Sequence, residues 1–228
     1  MSASPLTAAV MFTIGPVPIT TPVVVTWGMI VVLAGGARLL TRHLALRPTP
    51  TQAVLELLVD GIATQISDTM QTEPRTYMPL IGTLFLFILI ANWSSLIPGI
   101  EPPTASLETD AALALIVFVA IAWFGIRARG VAGWLASFAE PNILMVPLNL
   151  VETFTRTFSL LVRLFGNVMS GVFVIGIVLS LVGLLVPVPL MALELLTGTV
   201  QAYIFSVLAM VFISGAVGES EQRDGETT

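Results

Sequence analysis

The chain of 228 residues contains no cysteine, no lysine and a single histidine. Without cysteine there is no disulfide, iron–sulfur cluster or thiol nucleophile. One histidine leaves little room for a zinc site or a Ser-His relay, so neither a metal nor a cofactor is expected. Charge is also scarce: 10% of residues are charged and 56% are hydrophobic, whereas a soluble domain carries about 25% charged residues. With a mean hydropathy of +0.97, the chain reads as an integral membrane protein. A net charge of −5 with no basic cluster argues against a nucleic-acid partner. No glycine-rich nucleotide-binding loop is present.

What the chain does have is long apolar runs. A membrane helix needs about 20 such residues, and the runs at 23–40, 78–97 and 111–126 are read as three spans. Beyond Val146 the chain is apolar almost to Val217, broken by the turn-prone Val186-Pro187-Val188-Pro189. This stretch predicts two long, strongly tilted helices, roughly Leu150–Leu185 and Leu190–Gly218. The piece Leu135–Val146, bounded by Pro141 and Pro147, is too short to span and predicts a re-entrant dip or half of a hairpin. Segment 135–218 is therefore a re-entrant segment plus a long helical hairpin. The fold class expected is all-α, with five to six membrane helices in one multi-pass domain, 1–228.

All nine cations are arginines: Arg38, Arg42, Arg47, Arg75, Arg127, Arg129, Arg156, Arg163 and Arg223. Cytoplasmic loops collect positive charge, so Arg38, Arg42 and Arg47 place the tail 1–22 outside. The chain returns inward at Arg127 and Arg129. The connector Ile100–Asp110, with Glu101, Glu108 and Asp110 and no cation, lies outside. The final hairpin turns outside and ends in an acidic cytoplasmic tail, 219–228. The tail 1–22, with Pro5, Pro16, Pro18 and Pro22, lacks the basic start of a cleaved signal peptide. Segment 51–70 differs in kind. Leu55, Leu58, Val59, Ile62 and Ile66 recur at helical spacing among Glu56, Asp60 and Asp68, which predicts an amphipathic interfacial helix and, less strongly, a docking surface for a partner subunit.

Two arginines lie where arginine is costly. A charged side chain at mid-bilayer costs at least about 2.5–3.5 kcal/mol. Arg156 is near enough to the cytoplasmic end to snorkel. Arg163, about 10 Å deeper along the axis, needs a partner or a water-filled cavity. Glu152, Arg156, Ser159, Arg163, Asn167 and Ser170 step by 4, 3, 4, 4 and 3 residues, so they share one face. On the last helix, Glu194, Thr197, Gly198 and Gln201 form a shorter polar stripe. A static Arg–Glu pair would hold two helices together, but six polar positions exceed what one ion pair requires.

Arg163-Leu164-Phe165-Gly166-Asn167 resembles the signature of the a subunit of F-type ATP synthases. The similarity continues through Phe87–Asn92 and Leu96-Ile97-Pro98-Gly99, through Pro103-Thr104 and Ala112–Phe118, and through Glu140-Pro141-Asn142 to Pro147-Leu148-Asn149-Leu150. It ends at Gln201-Ala202-Tyr203-Ile204-Phe205. These segments stand in the family's order over most of the chain, and residues 1–75 are the least specific part.

The resemblance implies a stator subunit whose two long helices face a ring of c subunits, each with a membrane carboxylate. It also implies b-type stator subunits and the other ATP synthase subunits as partners, a bilayer environment, and a bacterial plasma membrane as location. Two aqueous half-channels would reach the ring from opposite sides without meeting, carrying protons and coupling their flow to rotation and ATP synthesis. Arg163 matches the essential arginine and would stand between the channels, always charged and unable to relay a proton. Asn167 and Gln201 would orient water and the guanidinium, and Glu194 would be the relay of the outer half-channel. Glu152, Arg156 and Ser159 would line the inner one, and Ser170 completes the stripe. Tyr203 and Ser206 are read as packing residues, and His43 as a surface residue.

One departure from the family is Val172, where an acid or histidine is common. Either Glu194 with water suffices for the outer path, or Glu108 and Asp110 help at its mouth. The ion-selecting ligands belong mainly to the c subunit, so a sodium-translocating ATPase is the alternative to a proton one. A secondary transporter is the more distant alternative, since no related halves or broken helices around a mid-membrane site are evident. An intramembrane protease would require a base near a nucleophile, and no membrane histidine exists.

Overall fold

The computed structural model describes residues 10–14, 17–42, 50–97, 102–139, 143–182 and 187–225. His43, Arg47, Pro98-Gly99, Glu101 and Glu140-Pro141-Asn142 lie outside the described residues, as do the acidic side chains after Val217. The chain is helical almost throughout. The described helices are α1 (Thr21–Leu40), α2 (Pro50–Met70), α3 (Met78–Trp93), α4 (Leu107–Ser137), α5 (Val146–Val182) and α6 (Pro187–Gly225). Five stretches are long and apolar enough to cross a membrane: Thr21–Leu40, Met78–Leu96, Leu107–Ser137, Val146–Leu181 and Val188–Val217. Helix α2 is not among them, because its polar residues interrupt the apolar run.

The proline-bearing N-terminal segment, read from the sequence simply as a tail, contains a two-stranded antiparallel ribbon. Strand β1 (Val10–Ile14) pairs with β2 (Val17–Thr20), with Phe12 opposite Ile19 and Thr13 opposite Pro18. A proline is tolerated there because a two-stranded ribbon has only edge strands. The second strand runs directly into α1, whose first turn carries Pro22 where no helical donor is needed.

Helix α6 is the hub, packing against α2, α3, α4 and α5. Its buried seam, Ala202, Phe205, Ala209 and Ile213, repeats at helical spacing. It meets Ile81, Leu84 and Ile88 of α3, Leu113 and Val117 of α4, and Leu160, Leu164 and Val168 of α5 in one cluster. In lipid, such contacts are held by close van der Waals packing rather than by water exclusion. Helix α1 stands at the periphery, with Pro22 its one fully buried residue.

Helix α4 runs beyond the span 111–126 expected from the sequence at both ends and breaks at Gly130, whose φ of 72° only glycine adopts without strain. Past this break the chain folds back on its own helix. The indole of Trp134 lies over Gly125, where an added Cβ would sit 2.6 Å from its ring. Trp134 also meets Phe138 edge-on, and the Asn149 amide donates to the Phe138 carbonyl at 2.9 Å, tying this fold-back to the start of α5.

Helix α2 presents Leu55, Leu58, Ile62 and Ile66 toward the bundle, with Ile66 fully buried, but Val59 is exposed together with Val54 and Leu57. A second apolar strip on α2 is thus left uncovered. Tyr203 of α6, read from the sequence as a packing residue, donates its hydroxyl to Gln65 Oε1 of α2 at 3.1 Å.

Because the indole fills the space beside Gly125, Gly125→Val is expected to destabilise the chain by about 1–3 kcal/mol through overpacking. Gly28→Ala, which meets nothing within 4 Å, should cost nothing. Thermal unfolding in detergent, followed by tryptophan fluorescence, distinguishes them; equal midpoints would remove the fold-back from the packed structure.

Candidate functional site

The site begins with the geometry of α5. One seam of this helix, Leu160, Leu164 and Val168, is buried against the bundle. Turning about 100° per residue carries Glu152, Arg156, Ser159, Arg163 and Ser170 to the exposed side, with Asn167 half-buried at its margin. The polar stripe therefore lies on the more exposed side of α5. Exposed Phe154 and Phe158, stacked with ring centroids 6.4 Å apart, flank it.

Within the stripe, Glu152 and Arg156 form an ion pair one turn apart. The Arg156 guanidinium also lies 5.6 Å from the centre of the Phe212 ring of α6, within cation–π range. Ser170 returns its hydroxyl to the Asn167 carbonyl at 2.9 Å. Arg163 is different. It stands near the middle of α5, about 25 Å along the axis from either end, exposed, with no hydrogen bond or ion pair to any described residue. Next to it on the same face, Gly166 leaves open space where a Cβ would lie. A fixed cation on an apolar helix without an internal counter-charge requires one from outside the chain, or water.

Helix α6 carries the second group. Glu194 is half-buried, and its carboxylate is lodged on Gly171 of α5, where an added Cβ would lie 2.7 Å from Oε1. That oxygen is buried with no hydrogen-bond partner. The neighbouring Val172 packs apolarly against the core. The helices thus approach where glycine meets glutamate, one residue before Val172. Gln201, two turns further along, is buried, while Thr197 is exposed. No described hydrogen bond joins Arg163 to Asn167, Gln201 or Glu194.

A buried polar chain that periodicity did not disclose fixes α6 at this level. The Asn92 amide of α3 donates to the Gly198 carbonyl at 2.9 Å. Its Oδ1 accepts from the Thr104 hydroxyl at 2.8 Å. The adjacent Trp93 indole donates to Thr199 at 3.0 Å. Gly198 is required for this approach, because a Cβ there would lie 2.9 Å from Asn92 Cβ. The contacting residues are 106 positions apart, so only the place of Asn92 at the end of the segment Phe87–Asn92 hinted at a role. Asp110, the second of two acids in the first turn of α4, is fully buried with neither carboxylate oxygen partnered, whereas Glu108 is exposed.

Among the described residues no three His, Cys, Asp or Glu side chains converge to hold a metal ion. A cavity of about 290 Å³ lies between α2, α3 and α6, walled by Leu58, Ile62, Phe85 and Met210. Its walls include none of the stripe residues.

The ATP synthase A chain family model matches residues 23–214, a range that contains both polar helices and all the contacts above. The chain belongs to that family. ATP synthase subunit a 2 of a Bradyrhizobium species is 56% identical over 96% of this chain and 98% of its own length. ATP synthase subunit a of Albidiferax ferrireducens is 48% identical over 85% of each chain. ATP synthase subunit a 2 of a Picosynechococcus species is 44% identical over 91% of this chain and 90% of its own. The chain is therefore a multi-pass membrane component of the Fo part of an ATP synthase complex, engaged in ion transport and ATP synthesis.

The two glycines at the α5–α6 and α3–α6 contacts differ in what they touch. Gly171→Ala meets the far end of a flexible carboxylate, which can swing aside. Gly198→Ala meets the stem of Asn92 and must push helices apart. Thermal stability of the assembled complex should fall by about 1–3 kcal/mol for Gly198→Ala and by less for Gly171→Ala; the reverse order would contradict the packing described.

Proposed function

We propose that this subunit is the stator half of a rotary proton motor, presenting the exposed stripe of α5 to a ring of c subunits. The observation that carries the reading is Arg163, an unpaired cation at the centre of an apolar helix on the face turned away from its own bundle. A ring whose carboxylates pass that face supplies the missing counter-charge. The guanidinium favours the ionised carboxylate in front of it, so the proton leaves there. A carboxylate moving off Arg163 must be protonated before it enters lipid, where a bare charge is costly.

Two water-filled half-channels then end at the stripe from opposite sides. The outer one runs by Glu194, whose buried, unpartnered oxygen is available to a proton or a water. Gln201 and Asn167 orient water between Glu194 and the ring. The inner one opens along Ser159, Arg156 and Glu152, with the Glu152–Arg156 pair keeping a polar lining near the cytoplasmic end. Ser170 extends the polar face on the outer side. Arg163 keeps the channels apart, because a guanidinium holds its proton at every accessible pH and cannot pass one along. Each charge crossing about 100 mV releases about 2.3 kcal/mol, so several protons drive one ATP. Arg38 in the last turn of α1 and Arg127 and Arg129 just before the break in α4 support an N-terminus outside and a C-terminus in the cytoplasm. Helix α1, peripheral and exposed, is the element open to b-type stator subunits.

In vesicles containing the assembled complex, Arg163→Ala should abolish proton-driven ATP synthesis without loss of subunits. Arg163→Lys should fail as well, since an ammonium deprotonates where a guanidinium does not. Native synthesis rates in Arg163→Lys would overturn the assignment. Glu194→Gln should slow proton flux by about tenfold or more, the usual scale for losing a proton-transfer group. Flux driven by sodium with no proton movement would favour the sodium-translocating form of the same motor.

A further inference from the structure

The cavity between α2, α3 and α6 has no part in the mechanism above. Its α3 and α6 walls belong to the membrane spans Met78–Leu96 and Val188–Val217. Leu57, Leu58 and Ile62 of α2, Phe85 of α3, and Val207 and Met210 of α6 give its 290 Å³ an apolar lining. None of the described residues that wall it is charged. Three polar side chains reach the wall, and each already has a partner. The Tyr203 hydroxyl donates to Gln65 Oε1 at 3.1 Å, the Gln65 amide to the Thr69 hydroxyl at 3.1 Å, and the Ser206 hydroxyl to the Ala202 carbonyl at 3.0 Å. A trapped water needs about two to four polar partners. With these groups engaged by one another and by the backbone, the cavity suits an apolar occupant.

Shape and charge narrow the choice. The cavity opens to the outside of the chain on α2, where Gly61 of its wall is exposed and an added Cβ would meet nothing within 4 Å. Leu57 is 75% exposed and Val54 67%, so the apolar lining continues out of the cavity along the helix. Val54, Leu58, Gly61 and Gln65 step by 4, 3 and 4 residues, which keeps them on one side of α2 over a length of about 16 Å. A lipid tail is about 15 Å long, one leaflet's share of the hydrocarbon core. Ile81 and Phe85, near the start of α3, also line the cavity, which places it in the leaflet where α3 begins. The rim has a sign. Glu56 and Asp60 are exposed next to Leu57 and Gly61, and α2 carries no cation. Two carboxylates there repel an anionic head and attract an ammonium.

We propose that this cavity holds one acyl tail of a membrane phospholipid whose head carries an ammonium. The tail lies along α2 from Val54 to Gln65, with the head beside Glu56 and Asp60. The hydrogen-bonded pair of Gln65 and Tyr203 closes the far end. In lipid, helices are held by close van der Waals contact, and an unfilled void forfeits those contacts. The bound tail supplies them between α6 and a helix whose composition does not let it cross the bilayer by itself. It acts as a packing element of the subunit rather than as one of the freely exchanging lipids around it.

The test uses the complete ATP synthase complex in liposomes containing phosphatidylethanolamine with a photoactivatable diazirine in its tail. After illumination, peptide mass spectrometry locates the cross-links. Labels are expected on Leu58, Ile62, Val207 or Met210, and on the exposed Val31 and Val32 of α1, which report lipid contact in general. Gly61→Leu occupies the mouth where there is open space and replaces a poor helix former by a good one, so the variant is expected to fold. It should lower cavity labelling by about tenfold, the loss expected when two methylenes can no longer be buried, and leave α1 labelling unchanged. The same probe with a phosphatidylglycerol head should label the cavity less, and Glu56→Gln combined with Asp60→Asn should bring the two heads level. Labelled α1 beside an unlabelled cavity would overturn the proposal and mean that another subunit covers the mouth. Cavity labelling unaffected by Gly61→Leu, or equal from both heads in the native complex, would overturn it as well.

Discussion

The rest of the structure depends on the cost of holding a guanidinium in hydrocarbon. Arg163 cannot discharge, has no described partner within its chain, and sits far along α5 from either end. A protein retains such a group only when something outside the fold compensates it. That constraint explains why the apolar seam Leu160, Leu164 and Val168 is turned inward and the polar stripe outward. On the proposed function it also explains the need for a rigid platform behind α5, since a cation that is to meet a moving carboxylate has to be held at a fixed place.

The platform is built by close approach rather than by bulk. Helix α6 packs against α2, α3, α4 and α5, and glycines stand at two of its tightest contacts, Gly171 opposite Glu194 and Gly198 opposite Asn92. In lipid such small-residue contacts, reinforced by interhelical hydrogen bonds each of modest strength, are the available source of order. The Asn92–Gly198 and Trp93–Thr199 bonds fasten two consecutive residues of α6. They fix the rotation of that helix and so the direction of Glu194 and Gln201. Position and chemistry are thereby coupled.

Much of this was legible in the sequence. Apolar runs of membrane length against scarce charge predicted the helices, and a 3.6-residue period of polar groups on an apolar background exposed the stripe through Arg163. Other features were not, for reasons that lie in how contacts form. The Asn92–Gly198 bond joins residues 106 positions apart, and no local pattern encodes such a pairing. The burial of Asp110 follows from how α4 packs among its neighbours, so its charge alone suggested an exposed mouth as readily as a buried position. The ribbon of β1 and β2 was hidden by prolines that usually signal irregular chain. The glycine break at Gly130 became meaningful only once Trp134 was found lying on Gly125.

A density map of the assembled complex within a bilayer tests the central claim most directly, by locating the Arg163 guanidinium relative to the ring. The account predicts that it lies against a ring carboxylate, with separate bodies of ordered water approaching from the two sides and no continuous water across it. A guanidinium facing lipid, folded back onto its own bundle, or spanned by one unbroken water path would contradict the account.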